Sequence, residues 1–92
     1  MIGKYCVIRT YSAGVHVGEV VSHSGTEVEL KDARRIWRWE GANTLHEIAL
    51  RGVGAGSKVS DEVPSIVLTE AIEIIPCADA AIENLRGAKW AC

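Results

Sequence analysis

The sequence predicts an α+β domain that is mostly β. It is a small curved antiparallel sheet or barrel in β-β-β-α-β-β-α order, with one capped helix and a short C-terminal helix. Three observations carry this. Runs rich in β-branched residues recur, and Glu27-Val28-Glu29-Leu30-Lys31 alternates strictly, the period-two pattern of a half-buried strand. The turn-forming groups Ser12-Ala13-Gly14 and His23-Ser24-Gly25-Thr26 separate the first three such runs. A segment beginning at Thr44 joins a helix start signal to an apolar stripe of helical spacing.

Taken in order, residues 5–11 are aromatic and β-branched and form the first strand. Residues 15–22 form the second, with Gly18 marking a bulge or a close backbone approach. The third begins at Glu27 and stays extended through Trp39, too long for one regular strand, so a bulge near Asp32-Ala33 is expected to change which side chains face the core. Thr44-Leu45-His46-Glu47 has capping-box spacing, and Leu45, Ile48, Ala49 and Val53 make one stripe of the helix that follows. Gly52 or Gly54 ends it, and a Gly- and Ser-containing loop runs to Asp61. Pro64 opens a strand over 65–68, and 71–75 forms the last, ended by Pro76. Ala78, Ala81, Ile82 and Leu85 share one face of a terminal helix stopped by Gly87. Three strands, a helix and two strands is the element order of OB-type and related small barrels; an open curved sheet fits the same order.

Composition bounds the function. Ninety-two residues make one domain, 1–92, and a chain of this size buries only about 60% of its unfolded surface. With 48% hydrophobic residues, a homo-oligomer is expected. A net charge of −2 excludes generic binding to duplex nucleic acid, which needs a basic field over many phosphates. Lys31, Arg34, Arg35 and Arg38 nonetheless cluster, which suits a small anion better than a polymer. The three cysteines are odd in number and lack a C-x-x-C pair, so neither a disulfide framework nor a zinc clip is indicated. No apolar run approaches a membrane span, and Met1-Ile2-Gly3-Lys4 leads directly into strand pattern, so a cytoplasmic setting is expected.

The strongest constellation is Arg34-Arg35-Ile36-Trp37-Arg38-Trp39. On an extended chain Arg35, Trp37 and Trp39 share one face, and Arg34, Ile36 and Arg38 the other. Adjacent indoles form a flat platform, and base stacking on such rings contributes about 1–3 kcal/mol per base. The alternative is that both indoles fill the core. Next, Glu40 to Thr44 leads to a helix N-terminus, where Asn43 and Thr44 would add polar contacts and free amides favour an anion. Gly52 to Lys58 lacks phosphate-loop spacing and follows a helix where a phosphate loop precedes one; Lys58 is the residue in it that could reach an anion. His16, His23 and His46 are dispersed, so no metal is expected, and no cofactor. Neither Cys6 nor Cys77 has a histidine tied to it by any motif, and no paired carboxylate or Ser-His-Asp signature is present, so no catalytic residue is assigned.

The segments Gly3-Lys4-Tyr5, Arg9-Thr10-Tyr11-Ser12-Ala13-Gly14-Val15-His16, Leu30 to Trp37 and Leu68 to Cys77 resemble a family of short phage and prophage proteins, with Arg-Arg-Ile-Trp the most recognisable part. The resemblance covers most of the chain and brings no catalytic residue. Unrelated small phage proteins act as oligomeric sponges for nucleotide signals of bacterial immunity, such as cyclic dinucleotides. This chain is similar to them in size, acidity and lack of catalytic groups, an association independent of fold. The expected function is therefore a non-enzymatic, oligomeric protein that sequesters a small anionic nucleotide. The alternatives are a protein-interaction module, such as an inhibitor of a host protein or a minor virion component, and a single-strand binder of OB type.

Overall fold

A computed structural model of the chain describes residues 2–11, 14–38, 44–54 and 57–87, with Trp37 and Arg38 described by their backbone. The elements are β1 (Tyr5–Thr10), β2 (Val15–Ser24), β3 (Glu27–Arg38), α1 (Leu45–Arg51), β4 (Lys58–Val59), β5 (Val63–Leu68), β6 (Ala71–Pro76) and α2 (Asp79–Gly87). All strand pairs are antiparallel, β3, β2, β1 and β6 lying side by side. Both β4 and β5 lie on the remaining edge of β3, β5 against Val28 to Ala33 and β4 against Ile36 and Arg38. They act as one interrupted strand. Ser60 bridges the interruption: its N–H donates to the Arg35 carbonyl at 2.8 Å, and its hydroxyl accepts from the Arg35 N–H at 2.8 Å.

The expected irregularity in the long strand is real and decides the core. Asp32 adopts φ 52°, and across it β3 advances from Lys31 to Arg34 while β2 moves only from Glu19 to Val17. That extra residue is a β-bulge. Val28, Leu30 and Ala33 therefore belong to one buried cluster and Ile36 to the other. Gly18 sits across from the bulge, where an added Cβ would stand 3.1 Å from the Lys31 carbonyl and 3.2 Å from the Ala33 Cα. The close approach expected at this glycine is present.

Each face of the sheet has its own core. Tyr5, Val7, Val15, Val17, Ile36 and Val59 pack beneath Ile48 and Ala49 of α1 and Leu85 of α2. On the opposite face, Cys6, Ile8, Val20, Val28, Leu30, Ala33 and Leu68 form the second cluster. Among the described residues no helix covers that one; the sheet's own curl does. β5 ends on the β3 edge and β6 begins beside β1, yet only Thr69 and Glu70 join them. So short a link requires the two edges to converge at that corner. Thr26, at the tip of the β2–β3 hairpin, fastens it: its hydroxyl donates to the Thr69 carbonyl at 3.1 Å, and its carbonyl accepts from Ala71 N–H at 2.9 Å.

The fold is thus α+β, mostly β, with a strongly curved open antiparallel sheet. The strand segments after α1 follow β3, and the last strand returns to β1. Short β4 falls inside the stretch expected to be loop, and Pro64 lies within β5 instead of before it. An edge strand tolerates this proline, because one row of its backbone donors has no ladder partner to lose. α2 begins one residue later than expected and runs to Gly87, burying Ala81 and Leu85 of its stripe.

Candidate functional site

The β3 segment that carries the cationic and aromatic residues divides its arginines between two roles. Arg34 follows the bulge and shares its face with Ile36, so its side chain turns inward and keeps only 6% of its exposure. Its Nε donates to the Ser60 carbonyl at 2.8 Å, and its Nη1 donates to the Leu85 and Arg86 carbonyls at 2.7 and 3.0 Å. Those last two carbonyls belong to the final turn of α2, the negative end of its dipole, which a cation stabilises. Arg34 is therefore a cap for α2 supplied from the sheet. Its expected role as a phosphate ligand is corrected on that ground: its guanidinium is sealed in and bonded to backbone.

Arg35 faces the other way and is exposed. Its guanidinium lies along Gly14, where an added Cβ would meet its Nη2 at 3.1 Å; Gly14, at φ 86°, leaves room for it. Its register partner on β2 is His16, a buried residue whose Nδ1 is enclosed without a hydrogen-bond partner. Burial first, and then the adjacent Arg35 charge, hold the His16 pKa below its usual 6.5. In the sequence His16 stands alone, because no second histidine lies near it. The cross-strand register supplies the missing neighbour.

Thr44 is the N-cap of α1, its hydroxyl accepting from the Glu47 N–H at 3.3 Å. The Glu47 carboxylate turns toward Arg51 at 3.6 Å, a helical i,i+4 pair. Half of the expected capping box is present: the Thr44 hydroxyl serves the helix, while the Glu47 carboxylate pairs with Arg51 and makes no return bond to the Thr44 N–H. Lys58 is half-buried on β4, opposite Arg38 in register. Two cationic residue types are thus brought opposite one another at the end of β3. Trp39 and Asn43 lie outside the described residues, as do the side chains of Trp37 and Arg38.

A second polar group is buried without a partner. The Tyr5 hydroxyl is enclosed beneath α2, with the Arg86 guanidinium 5.0 Å from the ring centroid. Burial pushes its pKa from 10.0 to about 12, and burial likewise pushes Cys77 from 9.0 to about 12. In the unfolded chain the phenol ionises above pH 10, whereas the folded chain keeps the proton until about pH 12. Stability is therefore unaffected by this ionisation below pH 10 and falls between pH 10 and 12, by up to about 3 kcal/mol at about 1.4 kcal/mol per unit. Tyr5→Phe is expected to leave stability at pH 7 within about 1 kcal/mol, since it removes a hydroxyl that forms no bond. The same variant flattens the decline above pH 10, read by urea unfolding at each pH. A phenolate absorbance rising near pH 10 in folded Tyr11→Phe protein, where Tyr5 is the remaining tyrosine, would contradict this.

Among the described residues, no group of three or more His, Cys, Asp and Glu is placed to hold a metal ion, and no helix is long and apolar enough to cross a membrane. Cys6 and Cys77 belong to opposite cores and are free thiols. No curated protein and no solved structure matches the chain. One family does match, over residues 3–85, spanning every strand and nearly all of α2. The chain belongs to DUF6948, a family described as a domain of unknown function.

Proposed function

We propose that this protein is a non-enzymatic, homo-oligomeric binder that sequesters a small anionic nucleotide in the cytoplasm, with cyclic nucleotide signals of anti-phage immunity the leading class. The observation that carries the reading is the division at β3. One arginine is consumed by the fold, while the next stands exposed at the start of the Ile36-Trp37-Arg38-Trp39 run. Arg35 is in no ion pair with another described residue. A guanidinium of this kind suits phosphate, and neighbouring indoles suit a base. The Arg38–Lys58 register adds cationic character at the same end of the strand. Self-association draws support from β5, an edge strand without charge that exposes Val63 and Val67.

Calorimetry against cyclic di- and trinucleotides tests this. Binding of at least one is expected, with tryptophan quenching, and Arg35→Gln is expected to weaken it by about tenfold or more, as for a charge-assisted hydrogen bond. No heat and no quenching with any member of the panel would remove the reading. A protein-interaction module remains the second reading, because the same residue types anchor protein interfaces. Stoichiometric retrieval of one bacterial protein, together with a silent nucleotide panel, favours it.

A further inference from the structure

We propose that His16 and Arg35 together form the anion subsite, gripping one phosphate group of the ligand between imidazole and guanidinium. The inference rests on the nucleotide reading above and assigns its phosphate a place. His16 and Arg35 are direct cross-strand partners of β2 and β3, so their side chains leave the same face about 5 Å apart at Cβ. His16 keeps 5% of its exposure as a residue, and its Nδ1 is enclosed with no partner. Arg35 is exposed beside it.

The described surroundings of His16 on this face are apolar apart from Thr10 and Arg35. Its partner on β1 is Ile8, with Thr10 two residues further along β1; next in the row is Ile74 on β6. Among these and the described residues of β3 on that face, the one charge is Arg35, and no carboxylate stands opposite it. Buried polar groups are ordinarily paired, and two basic side chains held together ordinarily have a counter-charge. Among the described residues both are missing at the same place. A phosphate oxygen supplies both at once, accepting from the imidazolium N–H and from the guanidinium. Gly14, just before β2, and Gly18 within it lie two residues either side of His16, and the Arg35 guanidinium already occupies the space over Gly14. The arginine is thereby held over the histidine's end of the sheet.

The linkage fixes what binding must do. An anion that bonds to the protonated imidazole raises the His16 pKa, and each unit of rise means tenfold tighter binding to the protonated form. The experiment follows the imidazole nitrogen and carbon resonances of the full chain by NMR across pH 5–8. It is run alone and with inorganic pyrophosphate, cyclic di-AMP or cyclic di-GMP, with His16→Gln assigning the signal and backbone spectra reporting its fold. The expected result is a His16 pKa raised by about one unit or more with at least one probe, and no rise in Arg35→Gln. A probe that quenches tryptophan fluorescence but leaves the His16 pKa unmoved overturns this subsite while leaving the nucleotide reading intact. A pKa rise that persists in Arg35→Gln overturns the two-residue grip. Silence of both signals with every probe overturns subsite and function together.

Discussion

Arg34→Met is expected to destabilise the protein by about 3–5 kcal/mol, a large share of the 5–15 kcal/mol typical of a domain. The substitution keeps much of the side chain's apolar volume, so the loss is chiefly polar. It leaves the buried bond to the Leu85 carbonyl and the half-buried bonds to the Ser60 and Arg86 carbonyls unmade. It also removes the charge at the α2 C-terminus. Arg34→Lys recovers only part of the loss, because one ammonium cannot reproduce a planar fork that spans Ser60 on one side and the α2 carbonyls on the other. Urea unfolding measures the totals, and hydrogen exchange is expected to show α2 amides losing protection first. A change below about 1 kcal/mol for Met, or full recovery by Lys, would contradict the capping role.

Gly52→Ala is expected to be as costly for a different reason. Gly52 closes α1 at φ 83° and ψ −153°, a conformation reached almost solely by glycine. An added Cβ would also overlap the Asn84 side chain, which clamps the next residue from α2. The Asn84 Oδ1 accepts from the Val53 N–H at 2.7 Å, and its Nδ2 donates to the Val53 carbonyl at 3.1 Å. The variant therefore combines backbone strain with displacement of a two-bond clamp between the helices. A loss of about 3 kcal/mol or more is expected, lowering Tm by about 12 °C or more at 4–8 °C per kcal/mol. In an Asn84→Ala background the same substitution costs less, since the overlap with the Asn84 amide group is gone while the overlap with the Cβ of residue 84 and the backbone strain remain. Strictly additive effects in thermal unfolding would contradict the clamp.

Much of this fold is legible in the residues, because its punctuation is local. Gly25 makes the hairpin turn at φ 59°, Thr44 caps α1, and the alternation of Glu27 to Lys31 sets a buried face. Even the bulge follows from strand length alone. Less legible is whatever depends on register. Arg34 and Arg35 are adjacent and chemically identical, yet one caps a helix 51 residues away and the other meets solvent. A signal was present: Arg34 is two residues from Ile36, so a buried Ile36 carries Arg34 inward with it. β4 is only two residues long and has no periodicity to detect; its pairing with β3, the burial of Val59 and the bonds of Ser60 to Arg35 hold it in place. His16 looked isolated because its partner lies on the neighbouring strand.

These assignments change what the cationic cluster can do. Four basic residues clustered in sequence do not make one patch, since the bulge sends Arg34 to the helix side and leaves Arg35 on the opposite face. A site on this strand end therefore has few charges and a defined geometry. That suits one or two phosphate groups better than the many phosphates of a nucleic-acid backbone.

The most direct measurement is native mass spectrometry of the full chain mixed with equimolar cyclic di- and trinucleotides, compared with Arg35→Gln. The account predicts an oligomer carrying the added mass of at least one nucleotide, with the adduct lost or strongly reduced in the variant. A bare single chain throughout, or an adduct kept equally well without Arg35, would contradict it.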